Sequence, residues 1–196
     1  MIILAAGRSS RMGQPKMLLP WGDTTVLGHL VFQWRAFGAA QIGVVCAEND
    51  RACREELDRV GVSICRSIDN PAPDRGMFSS IQCAAQWAGW QSILTHFVIA
   101  LGDQPHLHPD TLRALMDFAA AHPNTICQPA SGGQRRHPVV LPRSTFEELA
   151  ESTASTFKDF LEKREVAVCA CNDPGLAVDI DHPEDYLRVL QLLRKG

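Results

Sequence analysis

The sequence predicts a single α/β domain over residues 1–196, a Rossmann-like three-layer sandwich with a mainly parallel central sheet. Short apolar runs alternate with helical patterns along the whole chain, which is typical of successive βαβ units. Most of these runs are continuously apolar, as expected of strands that are covered on both faces. The chain has 196 residues, 45% of them hydrophobic, which suits one domain with a substantial core.

The predicted strands follow from these runs and from the turn-forming residues that bound them. They are Ile2–Leu4, Ile42–Cys46, Val62–Cys65, Phe97–Leu101, Thr125–Cys127, Val139–Leu141, Val166–Cys169 and Leu176–Val178. Three helices are predicted from apolar residues at helical spacing. The first follows a cap at Thr24-Thr25 and stops at Gly38, and the other two begin behind Pro109 and Pro183, since proline is favoured at a helix start.

Composition excludes several functional classes. Nineteen Lys and Arg residues against 22 Asp and Glu give a net charge of -3, so no basic field is available to bind nucleic acid. The N-terminal apolar stretch is too short for a membrane span or a signal segment, which favours a cytoplasmic protein without membrane attachment. The seven cysteines form no CxxC pair and are interpreted as reduced core thiols.

The segment after the first predicted strand has the composition of a phosphate-binding loop. Gly7 and other small residues let backbone N–H groups approach an anion, Ser9 adds a hydroxyl, and Arg8, Arg11 and Lys16 add positive charge without an acid in the segment. The spacing differs from the Walker A and G-x-G-x-x-G patterns. The alternative is a solvated surface loop with incidental arginines.

Carboxylates that suit a divalent cation occur at two distant places. Asp103 directly follows a buried strand, so it is expected at the carboxyl edge of the sheet beside the phosphate loop. Asp179 and Asp181 alternate, so in a strand both side chains share one face. The alternatives are a turn or cap role for Asp103 and a helix cap at Asp181 or His182.

Three motifs together resemble the nucleotidyltransferases, and within them the molybdenum cofactor cytidylyltransferase branch. The loop carries the pattern Leu4-Ala5-Ala6-Gly7-x-Ser9-x-Arg11-Met12-Gly13-x-Pro15-Lys16. Gly102-Asp103-Gln104-Pro105 and Asp179-Ile180-Asp181-x-Pro183 follow in the same order as in that branch. The resemblance implies the nucleotidyltransferase fold, Mg²⁺ as cofactor, and transfer of CMP from CTP to the phosphate of molybdenum-bound molybdopterin.

The resemblance also implies roles for individual residues. Lys16, Arg11 and Asp103 are the expected catalytic residues, and Asp103 and Asp181 the metal ligands, with Asp179 as the alternate. The choice of cytosine depends on Ala5-Ala6 and Gln104. The expected nucleotide-binding residues are Leu4, Ala5, Ala6, Gly7, Ser9, Arg11, Lys16, Gly76, Ser79, Ser80, Gly102 and Gln104. For Ser79 and Ser80, helix capping and contact with the base remain equal alternatives.

The acceptor side departs from the family pattern. Gln134-Arg135-Arg136-His137-Pro138-Val139 matches a Gly-His-Pro-Val segment, except that Arg136 replaces the glycine. Arg136 and His137 are the expected acceptor-binding residues, and His137 has the alternative of an ordinary loop histidine. Other functions left open are a guanylyltransferase, a nucleotidyltransferase for a sugar or polyol phosphate, and a non-catalytic carrier of the molybdenum cofactor. A client molybdoenzyme is a further expected partner.

Overall fold

The structure is a computed structural model that describes residues 1–193, and the side chains as far as Gln191. The last three residues of the predicted domain therefore lie outside the described part. Over the described residues the chain forms a central sheet with helices on both faces, so the predicted three-layer α/β architecture is confirmed.

Seven strands make up the main path of the sheet, in the order β10-β7-β9-β6-β1-β4-β5. All neighbouring pairs are parallel except those made by β9, which is antiparallel to β6 and to β7. Strand β8 pairs with β7, and β2 and β3 form a separate hairpin. The strands are β1 Ile2–Leu4, β2 Pro20–Trp21, β3 Thr24–Thr25, β4 Ile42–Ala47, β5 Cys65–Asn70, β6 His96–Leu101, β7 Ile126–Ser131, β8 Gln134–Arg135, β9 Val139–Pro142 and β10 Val166–Ala170.

The helices are distributed over the two faces of the sheet. They are α1 Val26–Ala36, α2 Arg51–Val60, α3 Met77–Gln86, α4 Pro109–Ala121, α5 Arg143–Glu148, α6 Phe157–Glu162 and α7 Pro183–Leu193, with short 3-10 turns at Lys16–Leu18, Pro73–Arg75, Leu149–Glu151 and Pro174–Ala177. The predicted starts of α1, α4 and α7 are confirmed, and the Thr25 hydroxyl caps α1 by accepting from the Gly28 N–H at 3.0 Å.

Alternation along the strands divides the core between the two faces. Ile3 and Val44 pack with helices α1, α2, α4 and α7, whereas their neighbours Ile2 and Val45 pack with α3, α5 and α6. A strand with apolar residues on both faces belongs in the middle of a three-layer domain. Among residues 1–193, no helix has both the length and the apolarity needed to cross a membrane.

Two predicted strands are wrong in position or type. The third strand begins at Cys65, where the prediction ended, because its polar residues Arg66 and Asp69 lie on the sheet edge and mask the apolar pattern. The predicted strand Leu176–Val178 overlaps the 3-10 turn Pro174–Ala177. Asp179 and Asp181 therefore lie in an irregular segment, and the argument that a strand places both on one face does not apply.

The strand order sets the place of the functional site. Strand β1 lies between β4 and β6: the chain runs from β1 to β4 and β5 on one side of it, and then crosses to β6 on the other side. The carboxyl ends of strands at such a reversal form a crevice where ligands bind in open α/β sheets. The loop after β1 and Asp103 after β6 both lie at this edge.

Candidate active site

The loop after β1 is held in one shape by its own hydrogen bonds. The Ser9 hydroxyl accepts from the Lys16 backbone N–H at 3.0 Å, and the Ser9 carbonyl accepts from the Met12 N–H at 3.0 Å. Ser9 has a φ of 49°, and Gly13 has a φ of 68°, a region that costs a residue with a side chain free energy. The loop thus folds back on itself and brings Lys16 next to the end of β1.

All three positive charges of the loop pair with acids that are remote in sequence. Lys16 Nζ donates to Asp103 Oδ2 at 3.1 Å and to Asp181 Oδ1 at 3.0 Å. Arg11 Nη1 donates to the other oxygen of Asp181 at 2.8 Å, and Arg8 pairs with Asp74. The loop contains no acidic residue of its own, and its positive charge is balanced by carboxylates from three other segments.

Lys16 is the central group of this cluster. Its side chain is only 12% exposed, and those of Asp103 and Asp181 are 24% and 44% exposed. Burial lowers the pKa of Lys16, but the two carboxylates outweigh that effect, so the pKa is raised and the ammonium stays charged. Hydrogen bonding to Lys16 lowers the pKa of Asp181, whereas burial raises the pKa of Asp103 in spite of Lys16.

The segment before α7 presents Asp181 to this cluster. The Ile180 N–H donates to the Asp103 carbonyl at 3.1 Å, which ties the segment to the end of β6. Asp185 Oδ2 accepts from the Asp181 N–H at 3.3 Å and the His182 N–H at 2.9 Å, as an acidic residue in the first helical turn does in a capping box. The helix start is thus stabilised by Asp185, and the Asp181 side chain points to Lys16 and Arg11.

Asp179 and Gln104 are engaged with each other. Gln104 Nε2 donates to Asp179 Oδ1 at 2.9 Å, and the Gln104 side chain is buried. Neither residue lines the cavity beside the phosphate loop. The structure therefore brings Asp103 and Asp181 together through Lys16 and holds Asp179 in a separate contact.

Gly102 is required by close packing of two strand ends. Its N–H donates to the Leu4 carbonyl at 3.0 Å. A Cβ atom at this position would lie 2.6 Å from the same carbonyl oxygen and 2.9 Å from Met17 Sδ. Any side chain here would push apart the loop after β1 and the end of β6, so this glycine sets the distance between Lys16 and Asp103.

A cavity of about 300 Å³ lies between the loop after β1 and the loop before α3. Of the expected nucleotide-binding residues, Leu4, Ala6, Gly7, Gly76 and Ser80 line it together with Asp103, whereas Ala5, Ser9, Arg11, Lys16, Ser79, Gly102 and Gln104 do not. The lining residues that sequence reasoning missed are Pro73, Met77 and Leu101. Pro73 belongs to the 3-10 turn before α3, Met77 is the first residue of α3, and Leu101 is the last residue of β6.

Asn70 organises the loop that forms the far wall. Its side chain is fully buried, donates to the hydroxyls of Ser79 and Ser80 at 2.9 Å each, and accepts from the Ala72 N–H at 2.8 Å. The Ser79 hydroxyl also donates to the Gly76 carbonyl at 2.8 Å. These contacts fix the loop, and they account for Ser79 without a ligand.

A second cavity of about 510 Å³ adjoins the first, and Met77 lines both. It contains the expected acceptor residues Arg136 and His137. Burial lowers the pKa of His137, so its ring is neutral near pH 7. Gln134 and Arg135 of the same segment also line this cavity, and the lining residues that the sequence did not single out are Gln128, Phe157, Lys158 and Leu161.

The cluster around Lys16 fits a divalent cation that arrives with a nucleotide. Within residues 1–193 no three His, Cys, Asp or Glu side chains form a ready-made metal cage. Mg²⁺, however, is usually held by one or two carboxylates together with substrate phosphates and water. Asp103 and Asp181 already converge on one cation, the Lys16 ammonium, and Asp103 Oδ1 is buried without a hydrogen-bond partner.

The cationic loop after β1 lies at the reversal point of a mainly parallel sheet and faces paired carboxylates, an arrangement that suits a nucleotidyltransferase. Residues 1–168 match the family described as the MobA-like NTP transferase domain. The chain belongs to that family, and it is an enzyme of the nucleotidyltransferase class.

Individual relatives agree with this assignment. The chain is 25% identical over 187 residues, or 95% of its length and 92% of the relative's, to the protein from Escherichia coli (strain K12) named molybdenum cofactor cytidylyltransferase. The Mycobacterium tuberculosis protein Rv0371C, solved in complex with manganese, is 28% identical with a TM-score of 0.69, covering 97% of this chain and 96% of that one. A nucleotidyl transferase from Methanothermobacter thermautotroptrophicus, at 24% identity and a TM-score of 0.79 over 100% and 97% of the two chains, shares the fold.

Proposed function

We propose that this protein transfers the CMP unit of CTP to the phosphate of molybdenum-bound molybdopterin and releases pyrophosphate, with Mg²⁺ as the cation. The observation that carries the proposal is the Lys16 ammonium held between Asp103 and Asp181, beside the cavity that Asp103 lines. The choice of CTP and of the pterin acceptor is supported by the similarity to the Escherichia coli protein named for that reaction.

The roles of the residues follow from charge and position. The triphosphate, which is strongly negative, binds along the loop after β1, where Lys16 and Arg11 exchange their carboxylate partners for phosphate oxygens. Asp103 and Asp181 would then hold the cation, whose positive charge would offset the charge of the departing pyrophosphate. Asp179 remains with Gln104 and positions that part of the site.

No protein nucleophile is needed for this transfer. A phosphate oxygen of the acceptor forms the new bond to the α-phosphorus of CTP, and the bond from that phosphorus to the oxygen of the β-phosphate breaks. The protein contributes orientation and preorganised positive charge. Leu4, Ala6, Gly7, Gly76 and Ser80 enclose the nucleotide, and Arg136 and His137 lie in the adjoining cavity for the acceptor.

Further parts of the proposal concern the cellular setting. We expect the reaction to take place in the cytoplasm, where the seven free cysteines remain reduced. The product is expected to pass to a client molybdoenzyme, because a nucleotide-bearing cofactor has its use in such an enzyme.

The test is pyrophosphate release with Mg²⁺ and purified molybdenum cofactor, comparing CTP, GTP, ATP and UTP in parallel. Release that is selective for CTP is the expected result. Selective release with GTP would instead indicate a guanylyltransferase, and release only with a sugar or polyol phosphate would indicate another acceptor. Cofactor binding without release from any nucleotide would indicate a carrier.

A further inference from the structure

Gln128 has an unusual position in the second cavity. It lies on β7, it is only 5% exposed, and its side chain lines the cavity. Its Nε2 donates to the Arg136 carbonyl at 3.2 Å, while its Oε1 is buried and has no hydrogen-bond partner. The amide orientation is fixed, because turning it over would place an oxygen against the Arg136 carbonyl oxygen.

A second group in the same cavity lacks a partner. The Arg136 Nε is also buried and unpaired, although its Nη2 donates to Gln134 Oε1 at 2.6 Å. Buried polar atoms of this kind are rare, because each one costs free energy until a partner is supplied. Two residues that line the cavity thus each contain a buried polar atom without a partner, an acceptor in Gln128 and a donor in Arg136.

These two atoms are not matched by a phosphate. A phosphate ester near neutral pH offers almost only acceptor oxygens, so it satisfies Arg136 Nε but repels Gln128 Oε1. A ligand that matches both atoms has a donor and an acceptor of its own. The remaining walls include Phe157 and the half-exposed Met77, which suit the flat face of an aromatic ring.

We propose that Gln128 is a specificity-determining residue that accepts a hydrogen bond from the exocyclic amino group of a pterin-type ring in the acceptor. An exocyclic amino group projects beyond the ring, so it can reach the buried Gln128 Oε1. An N–H that belongs to the ring itself lies too far back to make this contact. Arg136 Nε donates to an acceptor atom of the same ring. The ring enters when the Arg136 head releases Gln134, because that exposed hydrogen bond contributes only modest net stability. This proposal rests on the proposed function, because it takes the acceptor to be a pterin.

The position of Met77 gives the orientation of the acceptor. Met77 lines both cavities, so the part of the acceptor that reacts with the nucleotide must pass this residue. The phosphate therefore lies on the Met77 side, and the ring lies deeper, at Gln128. Ring recognition and phosphate chemistry are accordingly carried out by different residues.

The test compares binding of two phosphate-free probes, pterin and lumazine, followed by the fluorescence of the rings. Lumazine has a carbonyl oxygen in place of the amino group, so it would set a second acceptor against Gln128 Oε1. We expect the wild-type protein to prefer pterin by about 10-fold or more, since an unpaired buried group strongly disfavours the wrong ligand. The Gln128→Leu variant should lose this preference, and its KM for the molybdenum cofactor should rise while its KM for CTP is unchanged.

Gln41→Leu is the matched control. Gln41 is 7% exposed, and both ends of its amide are satisfied, by the Gly89 carbonyl at 2.8 Å and the Gln91 N–H at 2.9 Å. This variant should lose more stability than Gln128→Leu, yet keep the preference for pterin. Equal binding of both probes by the wild-type protein, or an unchanged preference in Gln128→Leu, would overturn the proposal. The proposed function would fail on a different result, the absence of pyrophosphate release from CTP, so the two failures can be distinguished.

Discussion

Lys16 is expected to bind the triphosphate during turnover, and in the free protein it occupies the carboxylates of Asp103 and Asp181. Replacing Lys16 by methionine should therefore lower turnover but improve the binding of a divalent cation. Lys16→Met keeps the length of the side chain but removes the ammonium that joins Asp103 and Asp181. Turnover should fall by about 10² to 10³-fold, as on loss of one preorganised charge at a transferring phosphoryl group. In the absence of nucleotide, the two carboxylates should bind a divalent cation more tightly than in the wild-type protein.

The size of the stability change follows from burial. Removing one partner of a fully buried ion pair costs about 3 to 5 kcal/mol. Here Asp103 is 24% exposed and Asp181 is 44% exposed, so solvent takes over part of the lost interaction. We expect a loss of about 1 to 2 kcal/mol in unfolding free energy. For a domain of this size that corresponds to a fall of roughly 2 to 8 °C in the melting temperature.

The assay is thermal unfolding of both proteins in a titration with Mn²⁺ or Mg²⁺, together with pyrophosphate release. The variant should gain more stability from the cation than the wild-type protein does, by about 1.4 kcal/mol for each tenfold difference in affinity. Lys163→Met, at an exposed lysine beyond α6, is the control and should change neither result. An identical metal response in Lys16→Met and wild type, with near-normal turnover, would refute the reasoning.

Three further changes have distinct expected results. Asp103→Asn should lower turnover by about 10²-fold or more. Asp179→Asn should lower it less than about 10-fold, because the amide oxygen of the new side chain still accepts from Gln104. Steady-state pyrophosphate release measures both effects. Gly43→Ala should cost about 1 to 3 kcal/mol in urea denaturation with unchanged KM values, since the added Cβ would lie 2.6 Å from Trp90 and 2.7 Å from Ile68. Burial lowers the pKa of His106 below its ordinary 6.5, so the unfolded chain binds a proton that the folded chain does not. Stability should therefore fall as the pH drops below about 6.5, and less steeply in His106→Gln; equal slopes in urea denaturation would contradict this.

The sequence predicted the parts of the fold that depend on local patterns. Strands β1, β4 and β6 are apolar runs, and α1, α4 and α7 have long apolar stripes with clear starting signals. Helices α5 and α6 have only six residues each, too few for helical periodicity to be distinguished from chance. Strand β5 was predicted too early in the chain because it lies at an edge of the sheet, where polar residues face water.

The sequence identified the residues that form the candidate site, but it did not show which of them contact each other. The motifs identified Lys16, Asp103 and Asp181, yet nothing local shows that Lys16 reaches a residue 165 positions away. The strand argument treated Asp179 and Asp181 as equivalent, whereas the irregular backbone directs one to Gln104 and the other to Lys16. Such pairing depends on tertiary contacts, above all the close approach of Gly102 to Leu4.

One short segment connects the nucleotide side of the site to the acceptor side. Gly76 has a φ of 87° and ends the loop that Asn70 holds in place, and Met77 follows it as the first residue of α3. A left-handed glycine is needed here because the chain reverses from loop to helix within one residue. The same reversal places Gly76 against the nucleotide cavity and Met77 between both cavities. If the nucleotide and the acceptor bind in these two cavities, as proposed, a shift of this segment would change the alignment of both substrates, and the Asn70 hydrogen bonds that hold the segment would contribute to that alignment.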